Sequence, residues 1–292
     1  MKDINIDQFK VTQPIKISEV NTSISLDADK KEKKKALKKT RKKLAKWQDK
    51  LYAHGKYSVL VCLQGMDTSG KDSLIREVFQ GFNSRGVVVH SFKTPSKREL
   101  RHNYLWRHYV ALPERGKFGV FNRTQYENVL VTRVHPEYIL GENIPHINSL
   151  EDIDEDFWET RMNEIRDFEE GMVDNGTIVF KFFLHISKEE QKYRLLRRLQ
   201  RPEKNWKFSP SDLEERKLWE EYQNCYEKAI NNTSTEKAPW YIIPSDDKKA
   251  ARYLVAKILR EKLLEYEDVQ EPSVSPEVEK NIDEYIAALK EE

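Results

Sequence analysis

The sequence predicts an α/β fold of the P-loop NTPase type, a parallel sheet of about five strands with helices on both faces and a helical lid. Three observations predict it. Short apolar runs alternate with amphipathic helical stretches along most of the chain. The first such run, YSVLVCLQG (57–65), is apolar nearly throughout, as for a strand covered on both faces. It feeds straight into Gly65-Met66-Asp67-Thr68-Ser69-Gly70-Lys71-Asp72, the G-x-x-x-x-G-K pattern set between strand and helix.

The elements follow in order. Residues 30–50 carry 12 Lys or Arg against two acids, Glu32 and Asp49, and Leu37, Leu44 and Leu51 recur every seven residues beside Trp47. This is an amphipathic helix. Its charge has two readings, a solvated face beside the core or an electrostatic funnel for a polyanion such as nucleic acid, anionic lipid or polyphosphate. After the first strand come a helix over 72–83, a strand over 86–92 and a helix over 97–111. A third strand spans 117–123, and a long helix over 154–174 is closed by Asn175-Gly176. Strand 177–186, helix 188–199, strand 238–244 and helix 246–265 complete the alternation. Residues 1–29 read as a peripheral extension, 30–265 as the kinase-like domain with a lid at 200–216, and 266–292 as an acidic tail. Within that tail, 278–289 reads as a docking helix of no assigned role.

Composition removes several classes. Among 292 residues, 11% aromatics argue against disorder, and no run of ~18 apolar residues exists to span a membrane. The first twenty residues lack the apolar stretch of a signal peptide. Cys62 and Cys225 form no metal-spaced pair, and two cysteines suit a reducing cytoplasm. The formal charge of +2 is a cancellation between the basic helix and the stretch from Glu265 onward, which holds 10 acids and two lysines.

In a parallel sheet ligands bind beyond the carboxyl ends of the strands, so chemistry is expected after residues 65, 92, 122 and 186. In the P-loop, backbone N–H groups of Gly65, Met66, Thr68, Ser69 and Gly70 wrap phosphate oxygens, and Lys71 reaches the outer phosphates. The usual metal-binding Ser or Thr is replaced by Asp72, either a ligand-side group or a helix-start acid complementing the dipole. Asp67 lies inside the loop. A carboxylate there is repelled by phosphate unless a cation lies between, so Asp67 is expected to bind Mg²⁺ or to orient the attacking oxygen. At the end of the third strand Asn122 stands where an acid usually faces the metal, with Glu127 as the nearby alternative. Arg123 is expected as a phosphate clamp and Arg133 as a second one, although Glu127 and Arg133 are also compatible with a helix-surface ion pair. Lys93 follows the second strand and is placed to touch the acceptor or its phosphate, with Ser96 as a helix cap. Arg198, Lys204, Lys207 and Arg216 fall in the basic segment after the fourth strand's helix, where a mobile lid brings cations over a transferring phosphoryl group. No GxSxG elbow, HExxH or N-K-x-D motif is present.

GMDTSGKD, FNRTQYENVLVTRVHPE and RPEKNWKFSPSD resemble, in order and spacing, the polyphosphate kinase 2 family over residues 30–265. Asn122 and LRHNYLWRHYVALPERG (100–116) are similar to its class III members. The resemblance implies a thymidylate-kinase-like core and phosphoryl transfer between inorganic polyphosphate and AMP, ADP and ATP, with guanine nucleotides as further candidates. It implies dependence on Mg²⁺, with Mn²⁺ as the alternative, and a homodimer or homotetramer. Neither a membrane nor a nucleic acid is expected as partner. Asp67 and Lys71 match the family's P-loop acid and lysine, Asn122 and Arg123 its third-strand motif, Glu127 an acid near the metal, Arg133 its phosphate path, and the four lid cations its lid. Two other readings of the same residues are an ATP-dependent nucleotide kinase and a nucleotide-gated polyanion-binding protein.

Overall fold

The computed structural model describes residues 4–291, so residues 1–3 and 292, the outer ends of the expected extension and tail, lie outside the described residues. Five strands form one sheet: β1 (Ser58–Gln64), β2 (Val87–Ser91), β3 (Phe118–Asn122), β4 (Thr177–His185) and β5 (Trp240–Pro244). All pairings are parallel, in the order β2-β3-β1-β4-β5. β1 is therefore central, paired with β3 on one side and β4 on the other, with β2 beyond β3. The crevice opened by that reversal lies at the carboxyl end of β1, where the P-loop begins.

Helices cover both faces. On one side Leu37, Leu44, Trp47 and Leu51 of α1 (Lys30–His54) pack with α2 (Lys71–Val78) and α10 (Lys248–Leu263) against Val59, Val61 and Leu63. On the other, Leu60 and Cys62 meet α4 (Glu127–Val134), α6 (Glu155–Asp174) and α9 (Trp219–Thr233). Alternate residues of β1 thus feed opposite cores, which is why its sequence is apolar throughout. Shorter helices α3 (Trp106–Tyr109), α5 (Glu137–Leu140) and α8 (Ser211–Lys217) and the longer α7 (Lys188–Leu199) complete the layers.

α1 starts on an Asp29–Glu32 capping box and stops at Gly55, whose φ of 67° favours glycine. Its leucine stripe is buried as expected, and Lys34, Lys38, Lys42 and Lys46 remain exposed. The expected continuous helix over 97–111 is broken. Only a 3-10 turn (Glu99–Arg101) and α3 form, because the Asn103 side chain accepts from the Leu105 amide at 2.8 Å and His102 is extended. The first residues are not peripheral either. Ile4, Ile6, Phe9, Val11, Ile17 and Leu26 are buried, and the Val11 amide donates to the Trp240 carbonyl of β5 at 2.9 Å. α11 (Pro276–Glu291) is the expected tail helix; none of its residues is buried, and Val278, Ile282, Tyr285, Ile286 and Leu289 stand exposed.

Candidate active site

The P-loop is built by unusual backbone. Gly65 has a φ of 150°, Thr68 65° and Gly70 111°. A Cβ on Gly65 would sit 2.8 Å from both the Leu184 carbonyl oxygen and Ser69 Oγ. Gly65→Ala is therefore expected to destabilise the fold by about 1–3 kcal/mol and to abolish tripolyphosphate binding. Urea unfolding and titration calorimetry check the two effects separately. Lys71 is buried and folds back so that Nζ donates to the Gly65 carbonyl at 2.6 Å. Burial, and then the Arg123 charge, pushes its ammonium down to about 8.

Arg194 of α7 clamps the loop from behind. Nη1 donates to the Thr68 and Ser69 carbonyls at 2.9 and 2.8 Å, and Nη2 to those of Ser245 and Asp246 at 2.6 and 3.0 Å. Gln191 donates to the Asp67 carbonyl at 3.2 Å. Three loop carbonyls, those of Asp67, Thr68 and Ser69, are thus held by α7, whereas the Ser69 amide, expected to wrap phosphate, donates to the Met66 carbonyl at 3.0 Å. Met66 is buried in the core and contributes by its backbone.

The end of β3 supplies the opposite wall. Arg123 has a φ of 61°, uncommon for a branched-free but bulky side chain and a mark of local strain. Its guanidinium bridges Glu127 Oε2 at 2.9 Å and Asp67 Oδ1 at 3.1 Å, so Glu127 above all holds it firmly protonated. Glu127 Oε1 also accepts from Gln64 Nε2 at 3.0 Å. Both oxygens of Glu127, expected at the metal, are thus engaged, and the residue orients Arg123. Asn122 Nδ2 donates to Asp72 Oδ1 at 2.7 Å, while Asn122 Oδ1 is buried without a partner.

The remaining expected residues divide. Arg133 is not at the phosphate site: it pairs with Glu155 at 2.6 Å and lies over the Trp158 ring, because α4 turns this face toward α6. It is an ion pair, though with Glu155 rather than Glu127. Arg216 donates to the Lys188 carbonyl and to Gln191 Oε1 at 2.6 Å, so it backs the residue that holds Asp67. Arg198 is tied within the lid to Asp212 and to the Lys207 carbonyl. Lys207 lies 4.9 Å from the centre of the exposed Trp206 ring; Lys204 carries no ion pair among the described residues. Lys93 is exposed, and its carbonyl accepts from Arg107 at 2.8 Å.

Two cations beside the loop escaped sequence reasoning. Lys248 Cε is 3.6 Å from where a Gly70 Cβ would stand, and Lys248 and Arg252 line the small cleft between α10 and the P-loop. Burial, then Arg194, Arg252 and Arg197, pushes Lys248 down to about 8. Arg197 Nε and Arg252 Nε are buried without partners. The signal was available, since Lys248 follows the carboxyl end of β5, the one strand end left out of the expectation.

A central P-loop, a clamped lysine, an acid–arginine wall and a basic segment after α7 define a P-loop protein equipped for phosphoryl transfer. The family model for Polyphosphate kinase 2 (PPK2) matches residues 27–272, and the chain belongs to that family. It is 48% identical over 219 residues to the ADP-polyphosphate phosphotransferase of Rhodopseudomonas palustris, covering 75% of both chains. It is 47% identical over 222 residues to the AMP/ADP-polyphosphate phosphotransferase of Meiothermus ruber, covering 76% of this chain and 78% of that one. Among solved structures, polyphosphate kinase 2 from Arthrobacter aurescens TC1 superposes with a TM-score of 0.87 at 33% identity over 96% of each chain.

Proposed function

We propose that this protein transfers the terminal phosphoryl group of inorganic polyphosphate to AMP and ADP, forming ADP and ATP. The observation that carries the reading is the run of cations continuing away from the P-loop. Lys71 is followed by Lys248, Arg252 and Arg197, and Lys33 of α1 reaches Asp247 at 2.7 Å, bringing the lysine helix beside the start of α10. A nucleotide donor needs no such track; a long polyanion does. The names of the Rhodopseudomonas palustris and Meiothermus ruber relatives support the same substrates.

The acceptor is a phosphate oxygen that is already ionised, so no strong general base is required. Lys71 and Arg123 offset the charge on the transferring group, and closure of the lid, carrying Arg198, Lys204 and Lys207, excludes water. Arg216 acts through Gln191 on Asp67. Asp67 and the unpartnered Asn122 Oδ1, with Asp72 behind them, form an all-oxygen set suited to Mg²⁺ or Mn²⁺. That ion supplies charge neutralisation at the phosphates when bound. Guanine nucleotides as further acceptors, a homodimer or homotetramer and a cytoplasmic setting complete the reading; no helix among the described residues is long and apolar enough to cross a membrane.

Incubation with Mg²⁺, long-chain polyphosphate and AMP or ADP tests it, with ATP followed by luciferase. ATP that appears only with polyphosphate is the expected result. A wild-type protein that makes no higher nucleotide would end the proposal. Lys248→Met with Arg252→Met is expected to raise the KM for polyphosphate about tenfold while leaving that for AMP unchanged. Neutralising Lys34, Lys38 and Lys42 with glutamine is expected to flatten the dependence of polyphosphate KM on salt. Stopped activity assays across a potassium chloride series measure it.

A further inference from the structure

A charged pair lies buried behind the β3–α4 turn, between β4 and α6. Lys181 sits in the middle of β4, fully buried, and Glu169 of α6 is 1% exposed. Lys181 Nζ donates to Glu169 Oε2 and to the Thr233 carbonyl, both at 2.6 Å. A pair this deep gains little net stability, since desolvation offsets the attraction. Glu169 makes a second set of contacts. Its Oε1 accepts from Tyr126 Oη at 2.6 Å and from Gln125 Nε2 at 2.8 Å. Gln125 and Tyr126 are the middle of the turn joining β3 to α4. On either side of them stand Arg123, at its left-handed φ of 61°, and Glu127, which holds it. The turn is tied further by Lys181 Nζ, which donates to Tyr126 Oη at 3.1 Å, and by Thr124 Oγ1, which accepts from Gln64 of β1 and from the Tyr126 amide, each at 3.2 Å.

We infer that Glu169 is a positioning residue for phosphoryl transfer, holding the Arg123–Glu127 turn in its strained conformation through Gln125 and Tyr126, with Lys181 as the buried partner that fixes its other oxygen. The strain in Arg123 needs an anchor stronger than the turn itself, and the charged acceptor of two hydrogen bonds supplies it. The sheet is the rigid base: Lys181 is registered against Cys62 of β1, two residues before Gln64. Displacing the turn moves the Arg123 guanidinium off Asp67 without altering any residue of the P-loop itself.

Two double variants separate this role from packing. Glu169→Leu with Lys181→Met removes both charges together and leaves Gln125 and Tyr126 without their acceptor. Glu169→Gln with Lys181→Met keeps the oxygen they donate to. Kinetics with polyphosphate and AMP, beside thermal unfolding, are the readouts. The first double is expected to lose kcat by about tenfold to a hundredfold at near-constant KM for AMP, the second to recover most of it. Tyr126→Phe, which deletes one strut alone, is expected to lose kcat by a smaller factor and serves if the first double does not fold. Equal kcat in wild type and Tyr126→Phe, or in the two doubles, overturns the inference. The inference rests on the proposed transfer reaction: an inactive wild type removes both, whereas an active wild type with undiminished variants removes this inference alone.

Discussion

Replacing Lys71 by methionine is expected to lower kcat/KM for polyphosphate by about a hundredfold to a thousandfold, the scale set by removing one preorganised donor at a developing anion. The fold should survive, because the Nζ makes one hydrogen bond, to the Gly65 carbonyl, and methionine fills the same buried volume. The wild type carries its own control in pH. The Lys71 ammonium is pushed down to about 8 by burial and by Arg123, so in the free enzyme it loses its proton as pH rises through that value. kcat/KM, which reports the free enzyme, is expected to fall above about pH 8. Lys248, also near 8, loses its charge over the same range, so the Lys248→Met background isolates the Lys71 share. Initial rates from pH 6.5 to 9.5 measure both. A Lys71→Met enzyme within tenfold of wild type would place the lysine away from the transferring phosphate.

Arg123→Ala is expected to cost about a thousandfold in kcat, the lower range for an arginine that offsets charge on a transferring phosphoryl group. Arg123→Lys should recover little. A lysine cannot bridge Glu127 and Asp67 with two separate donors as the planar guanidinium does at 2.9 and 3.1 Å. Both variants are also expected to raise the Mg²⁺ concentration needed for half-maximal rate, because Asp67 loses the contact that fixes its oxygens. Rates across a Mg²⁺ titration, with circular dichroism to confirm folding, decide this. A lysine variant with wild-type kcat would show that charge alone, and not the fork geometry, is what the site uses.

The places where sequence reasoning succeeded share a physical character. The G-x-x-x-x-G-K loop is specified by its own residues: Gly65 and Gly70 allow the φ values the turn needs, and the strand before it is apolar because it is covered twice. The leucine stripe of α1 buried as its spacing required. Arg123 was legible because it follows a strand at its carboxyl end. The failures concern side chains whose partners are distant in sequence. Arg133 stands on α4, yet Glu155, 22 residues on, captured it. Arg216 was placed at the phosphates by its basic neighbourhood, and the structure spends it on Gln191. Arg194, one of five basic residues in α7, proved to be the bracket of the loop through four carbonyls.

Local backbone chemistry, hydrophobic period and the rule about strand ends therefore settled the fold class and the places of the G-x-x-x-x-G-K loop and of the acid and arginine that meet beside it. Packing settled the rest. Which cation meets phosphate and which meets a carboxylate depends on how α4, α6, α7 and α10 lie on the sheet, and that geometry is fixed by contacts between residues far apart in the chain. Lys181 is the clearest case. In sequence it is a lone charge interrupting an apolar strand; only its approach to Glu169, Tyr126 and Thr233 makes it part of the wall that carries Arg123.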